Sequence, residues 1–140
     1  MPITFTNTIY DDVIDSLATI INDEFAISIH YDEHRGNSSF LLIPESDTLV
    51  TYMSSGAQRE YDILVNYQLK FGGQYNKNNI KQVSNVMERL KRLILNNVSY
   101  SNGEKWFDAN ISSIEYEIDE DDPTLLRGIG TFNCQNIEVI

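Results

Sequence analysis

The stretch that decides the fold runs from Arg59 to Phe71 and reads REYDILVNYQLKF. Its positions alternate between apolar and polar side chains, with Leu64 as the exception; the apolar positions are Tyr61, Ile63, Val65, Tyr67, Leu69 and Phe71. A period of two places the apolar side chains on one face of a β-strand and the polar ones on the other. The stretch exceeds the usual strand length of roughly 5–6 residues, and Gly72-Gly73 ends it. It predicts a long strand suited to a sheet that packs helices on one side and meets a partner or a channel on the other.

The size of the chain indicates one domain, spanning residues 1–140. No apolar run approaches the roughly 20 residues that a membrane helix needs. The first residues, Met1 to Phe5, do not have the pattern of a signal peptide, so we expect no secretion signal and no membrane contact. The one cysteine, Cys134, excludes an intrachain disulfide framework and a cysteine-rich zinc site, which favours a protein made in a reducing cytoplasm.

The charge balance bears on possible partners. Ten basic and 21 acidic residues give a net charge of −11. Nucleic-acid affinity depends on neutralising phosphates, so this balance argues against phosphate binding as the main function.

Periodicity and breakers predict the remaining elements along the chain. The expected segments are a helix over 7–25 capped by Asn7 or Thr8, a short strand over 26–31, a strand over Phe40–Ile43 that ends or becomes an edge at Pro44, a weak extension over Thr48–Met53, a helix over 78–97, a strand over Trp106–Ile118 with a bulge at Ser112-Ser113, an acidic hairpin connection over Asp119–Thr124, and a last strand over Leu126–Val139 interrupted by Gly128 and Gly130. This order predicts an α+β fold, in which two helices pack on one face of a mostly antiparallel (mixed) sheet of four to five strands.

The positive charges are concentrated in the second helix. Five of the ten basic residues fall between Lys77 and Arg92. Such asymmetry suggests charge complementarity between copies of the chain, although a solvated helix face in an acidic protein explains it as well. The candidate subunit-interface residues are Lys81, Arg89, Lys91, Arg92, Arg59, Arg127 and Trp106. For Arg59 and Arg127 an ordinary edge charge is the simpler interpretation, and one ring of Trp106-Phe107 is expected in the core.

Two clusters have the residue types of a binding site. Asp119, Glu120, Asp121 and Asp122 lack the spacing of an EF-hand, so a solvated hairpin tip, or a surface that repels DNA or docks a basic partner, is expected. His30 and His34 straddle a strand end and a turn, where the i, i+4 spacing no longer puts both imidazoles on one face. An exposed polar turn is therefore favoured over a metal or acid–base site. Nothing matches a nucleotide-binding, hydrolase or zinc motif, and we predict no catalytic residue, cofactor or metal.

The element order resembles a known family of viral proteins. REYDILVNYQLKF is followed by a Gly-Gly loop, a helix ending LKRLILNN, the strand WFDANISSIEYEI, an acidic turn and LLRGIGTFNCQNIEV. Over residues 7–140 this layout is similar to that of the tail terminator, or tail-completion, neck proteins of long-tailed bacteriophages.

The resemblance implies a non-enzymatic protein of the virion tail or neck, made in the host cytoplasm. Such a protein forms a six-fold ring that caps the tail tube, stops its polymerisation and presents a surface to the head-side connector, while DNA passes through without specific binding. A ring needs one patch to meet a different patch on the next copy. The basic segment 77–92 and the acidic segment Asp119–Asp122 are the expected pair of opposite charge, or the latter lines the channel.

Two other classes remain open at this stage. One is a non-enzymatic adaptor or another head–tail connector that acts through its exposed sheet, for example by β-augmentation. The other is a small enzyme or metal protein built on His30 and His34.

Overall fold

The computed structural model describes residues 2–71 and 77–139, with all of their side chains except that of Lys77. Along the chain the elements are a π-helical segment Ile9–Ile14, α1 Asp15–Phe25, β1 Ile29–His30, β2 Ser38–Met53, β3 Gly56–Lys70, α2 Lys77–Leu95, β4 Phe107–Ile118 and β5 Leu125–Val139. The strands form one sheet in the order β1-β2-β3-β5-β4, in which only β1 and β2 are parallel. The predicted α+β class, with a mixed and mostly antiparallel sheet, is confirmed.

The alternation in β3 sets the two faces of the sheet, as predicted. Tyr61, Ile63 and Val65 are fully buried, whereas the residues between them stay partly exposed. The buried set packs with Leu17 of α1 and Leu90 of α2 in one hydrophobic core. Each fully buried aliphatic side chain of this kind contributes about 1.5–3 kcal/mol relative to an exposed one, so the helices are held on the face that carries the odd-numbered residues.

Pro44 does not end a strand, and the two segments predicted over 40–43 and 48–53 are one continuous β2. The reason is the position of β2 in the sheet. β1 pairs only with Phe40 and Leu41, so β2 has β3 alone as its neighbour from Leu42 onward in the described chain. An edge strand tolerates a residue without an N–H, and the register shifts between Pro44 and Ser46. Pro44 therefore lies at an edge, which was one of the two expected outcomes.

Gly128 and Gly130 do not interrupt the last strand either. They lie within the continuous β5, under α2. A Cβ atom built on Gly128 would lie 2.6 Å from Cγ of Met87, a distance that real contacts do not allow. The glycines thus let α2 approach the sheet closely, as glycine in a strand interior often does.

The remaining boundaries differ from the predictions by a few residues. The first helix starts as a π-helical segment, where the side chain of Asn7 accepts a hydrogen bond from the backbone N–H of Tyr10 at 3.3 Å. The short strand predicted over 26–31 shrinks to Ile29–His30, and α2 ends at Leu95. The predicted bulge in β4 is confirmed by a register shift between Ile111 and Ser113, and a second shift lies between Phe107 and Asn110.

Candidate functional site

The sheet face turned away from the helices is the candidate site, and it is called the open face below. It consists of the even-numbered residues of β3 from Gln58 to Gln68 and the residues opposite them in β2, β5 and β4. Asn66, for example, lies between Leu41 and Ile129, and Leu64 lies between Ile43 and Thr131. The open face is thus fixed by the same alternation that builds the core.

Apolar side chains form the centre of the open face. Leu41, Ile43, Leu64 and Ile129 occupy neighbouring positions in two adjacent register rows, and all but Leu41 are partly exposed. Ile43 and Leu64 lie directly opposite each other, where antiparallel side chains are about 5 Å apart, and Ile129 is the diagonal neighbour of Leu64 at about 7–8 Å. A half-apolar sheet face without a covering layer is a usual feature of an interaction surface.

A polar loop crosses one end of the open face and is fastened there by His34. Its Nε2 donates to the side-chain oxygen of Asn66 at 3.2 Å, and its Nδ1 accepts from the Ser39 hydroxyl at 2.7 Å. The hydroxyl oxygen of Ser39 also accepts from the backbone N–H of Arg35. Burial lowers the pKa of His34 below its ordinary value, which favours the neutral imidazole, and the Asn66 oxygen, which can only accept, places the proton on Nε2. The histidine therefore anchors a loop, and no cluster of three or more metal-ligating side chains occurs in ranges 2–71 and 77–139.

Two acidic residues lie side by side at the other end of the open face. Asp62 accepts hydrogen bonds from the Asn133 amide at 2.8 Å and the Ser46 hydroxyl at 3.0 Å, and Glu60 accepts from the same amide at 3.2 Å. All of these donors are neutral. Within the described part of the chain neither carboxylate has a cation as an ion-pair partner. This end of the open face therefore carries uncompensated negative charge.

Arg127 and Asp119, predicted as parts of two different surfaces, bind each other within the chain. Nη2 of Arg127 lies 2.8 Å from Oδ2 of Asp119, Nη1 lies 3.2 Å from Glu117, and Nε donates to Gln68. The hydrogen bond from Arg127 and those from the backbone N–H groups of Asp122 and Asp121 lower the pKa of Asp119. This cluster joins β3, β4 and β5 at the edge of the open face.

The acidic turn over Asp119–Asp122 separates into two pairs by role. Asp119 and Asp122 stabilise the turn. The side chain of Asp122 accepts hydrogen bonds from the backbone N–H of Thr124 at 3.0 Å and from the Thr124 hydroxyl. The hydroxyl is the largest cause of the lowered pKa of Asp122. Glu120 and Asp121 are exposed to solvent. Such local carboxylate-to-backbone bonds are typical of turns, so half of the predicted docking set has a structural role.

Most of the predicted interface cations have an acidic partner in their own chain. Arg89 contacts Glu24 at 3.0 Å and lies over the ring of Phe25, Lys91 contacts Glu88 at 2.7 Å, and Arg59 contacts Asp47 at 2.7 Å. Lys81 and Arg92 are exposed and form no ion pair within the described residues. Of the predicted set, these two are the cations free to meet another molecule.

Trp106 is corrected from interface candidate to core residue. It is fully buried, stacks on Tyr100, meets the edge of Phe132 and donates its indole N–H to the backbone oxygen of Asn97 at 2.8 Å. Phe107 stays partly exposed opposite Gln135 on the open face. Cys134 is also fully buried, and burial raises its thiol pKa to about 12, so it stays protonated.

Sequence reasoning did not single out the hydrogen-bonding residues of the open face. Asn66 falls at a polar position of the strand whose alternation was recognised, whereas Asn133 lies in the last strand, for which no alternation was noted. Nothing in the sequence indicated a role for Ser39, because that role depends on the loop placing the His34 imidazole against the start of β2.

No protein-family model matches the chain, and no curated protein is significantly similar to it. Within the described ranges, neither helix is long and apolar enough to span a membrane.

Proposed function

We propose that this chain is a structural protein of a long-tailed bacteriophage virion: a ring-forming tail terminator that caps the tail tube, stops its polymerisation and joins the tail to the head-side connector. The observation that carries the proposal is the open face, which combines an apolar centre with an uncompensated acidic end and lies opposite the helices. Exposed apolar patches rimmed by polar groups are typical of protein–protein contact sites.

The face of the sheet is a better contact surface than its edges. The edge strand β2 contains Pro44 and has two register shifts against β3, and the edge strand β4 has two register shifts against β5. Asp108 in β4 has a positive φ of 53°, which further distorts that edge. Bulges and proline are the usual means by which edge strands avoid pairing with other chains. This favours assembly through faces over β-augmentation.

The terminator role rests on the resemblance of the element order in the sequence to that of phage tail-completion proteins. A closed ring built from one kind of chain needs two different contact patches on each copy. The open face and the basic outer side of α2 are two such patches on opposite sides of the sheet layer. A net charge of −11 also suits a channel through which DNA slides without binding.

The ring is tested by the native mass and by electron microscopy of the purified chain. A hexamer of 16.1 kDa chains has a mass of about 97 kDa and should appear as a ring with a central hole. The terminator role is tested separately, by adding the chain to polymerising tail-tube protein of the same phage. We expect shorter tubes with a ring at one end; tubes of unchanged length and uncapped ends would contradict the role.

A monomeric adaptor or another neck protein is the second candidate, and one observation favours it. The tip of the β2–β3 hairpin exposes Leu49, Val50, Tyr52 and Met53, with Tyr52 79% exposed. An exposed apolar hairpin tip suits insertion into a different protein. A mass that stays at one chain over all concentrations, together with unaltered tube growth, would favour this candidate.

A further inference from the structure

We infer that the open face of one copy receives the outer side of α2 from a second copy. The inference rests on the proposed function only in taking the partner to be another copy of this chain. It replaces the pairing expected from the sequence, in which the basic helix met the turn Asp119–Asp122. Asp119 and Asp122 of that turn are already engaged by Arg127, Thr124 and backbone N–H groups of the turn, which leaves only Glu120 and Asp121 of its four carboxylates without such a role.

The acceptor surface has two negative points, and the apolar Leu64 and Ile129 lie along one side of the line that joins them. One point is the pair Glu60 and Asp62, bonded only to neutral donors. The other is Glu115, which is exposed and lies opposite Ile129 in the register. Thr131 of β5 lies midway between these points, and Leu64 lies directly opposite it on β3.

The donor surface is one stripe along α2. Positions separated by four, three, four and three residues fall on one side of a helix, and here they are Lys81, Asn85, Glu88, Arg92 and Leu95. All five are exposed, and Leu95 is 62% exposed although it is apolar. Glu88 is neutralised by Lys91. The stripe therefore presents two free cations and one exposed apolar side chain to a partner.

The spacing of the charges agrees between the two surfaces. Lys81 and Arg92 are eleven residues apart, which is close to three full turns and places them on the same side about 16 Å from each other. Asp62 lies opposite Asn133, and Glu115 lies opposite Ile129, four residues further along β5 and two strands away from β3. Strand geometry makes that separation about 17 Å. A single helix can therefore engage both negative points at once.

The two surfaces face opposite ways on each copy, because α2 packs on the covered side of the sheet. A contact between them uses different patches on the two partners, and such heterologous contacts repeat from copy to copy until a ring closes or a filament grows. Placing a helix on the open face also completes a helix–sheet–helix layering, a usual way to bury a half-apolar sheet face.

The test is a charge swap read out by sedimentation over a wide range of protein concentration. The double variant Lys81→Glu, Arg92→Glu makes both surfaces acidic, and we expect self-association at least about tenfold weaker, since like charges across an interface repel strongly. The double variant Glu60→Lys, Glu115→Lys neutralises the first point, where Asp62 remains, and makes the second basic, so its self-association should be weakened as well. The two double variants mixed in equal amounts, or all four changes in one chain, remove the like-charge contacts and should restore assembly.

The matched control keeps the net charge of the wild type but not the pairing. It combines Lys81→Glu and Arg92→Glu with Asp11→Lys and Asp23→Lys, which are exposed on the first helical segments and far in sequence from the open face. We expect this control to stay dissociated. Its recovery would show that only net charge matters and would overturn the inference.

The failure of this inference and that of the proposed function give different results. A wild-type ring that persists in both double variants overturns the α2 docking but leaves the terminator role intact. A ring that responds to the swap as expected, yet leaves tail-tube length unchanged, supports the docking and contradicts the terminator role. A wild-type chain that remains monomeric at every concentration overturns the docking, whatever its effect on tubes.

Discussion

The two faces of β3 come from one strand but serve different purposes. Its odd-numbered residues, such as Ile63 and Val65, are fully buried under the helices, whereas the even-numbered Asp62 and Leu64 keep part of their surface in water. The covered face consists almost entirely of apolar side chains, and the open face mixes apolar, amide and carboxylate groups. The difference shows that fold stability and surface chemistry are assigned to alternate residues, so substitutions can separate them.

Truncating Trp106, on the covered face, should reduce the free energy of unfolding more than any other change considered below. Trp106→Ala removes a fully buried ring and leaves the Asn97 backbone oxygen without its donor. Replacing a buried Trp by Ala costs about 3–5 kcal/mol, which urea unfolding followed by far-UV circular dichroism would measure. The neighbouring Phe107→Ala, at a partly exposed position beside Gln135, is the matched control and should cost clearly less. Equal losses would contradict the division between the faces.

Adjacent truncations in β3 sharpen the comparison at single-residue resolution. Ile63→Ala should reduce the free energy of unfolding by about 2–5 kcal/mol, because the side chain is fully buried and its loss leaves a cavity. Leu64→Ala removes a similar volume from the open face and should cost less than half as much. Measured on the dissociated chain, a Leu64 loss as large as that of Ile63 would mean that the open face is part of the core.

Adding a side chain to β5 under α2 should reduce the free energy of unfolding by an intermediate amount. In Gly128→Ala the new Cβ would lie 2.6 Å from Cγ and 2.9 Å from the sulfur of Met87. Overpacking of this kind typically costs about 1–3 kcal/mol. Met87→Ala removes the side chain that the new Cβ would meet, so Gly128→Ala should cost less stability in that background. A double-mutant cycle measures this difference as the interaction energy of the two sites. Gly130→Ala, whose nearest neighbour is the terminal methyl of Met87 at 3.1 Å, is the milder control.

Local patterns were enough to predict the class of the fold and the buried side of β3. The period of two between Arg59 and Phe71 and the slip at Ser112-Ser113 both correspond to features of the sheet. Pro44 left two outcomes open and Gly128 was misleading, because the meaning of each depends on a neighbour distant in sequence. Pro44 is tolerated since β1 is too short to cover β2 there, and Gly128 is required since Met87 lies above it.

The candidate site was less predictable for the same physical reason. Counting charges along the chain identified the basic segment over 77–92 but could not show that Arg89 and Lys91 are paired with Glu24 and Glu88. It also assigned Arg127 and Asp119 to different surfaces, although the β4–β5 hairpin places them 2.8 Å apart. Which charges remain available to a partner is a property of the folded surface. Among the described side chains of the basic set, Lys81 and Arg92 are the two without an ion pair.

The smallest expected effect concerns pH and the loop that His34 fastens to the open face. Burial lowers the pKa of His34 in the folded chain below its ordinary value of 6.5, so the unfolded chain binds a proton more readily. Stability from this group is therefore complete above pH 6.5 and is lost as the pH falls through the folded pKa. A proton on His34 would also place positive charge near Arg127 and His30, both of which oppose it. We expect the free energy of unfolding to decrease as the pH is lowered from 7.5 to 5.5.

Replacing each histidine in turn identifies the source of that decrease. His34→Gln has no titrating group and should lose the His34 contribution to the slope, at the cost of weakened hydrogen bonds to Ser39 and Asn66. His30→Gln should retain it. Urea unfolding of both variants at the two pH values compares them directly. A slope that survives unchanged in His34→Gln would contradict the assignment of the decrease to the neutral imidazole that fastens the loop to the open face.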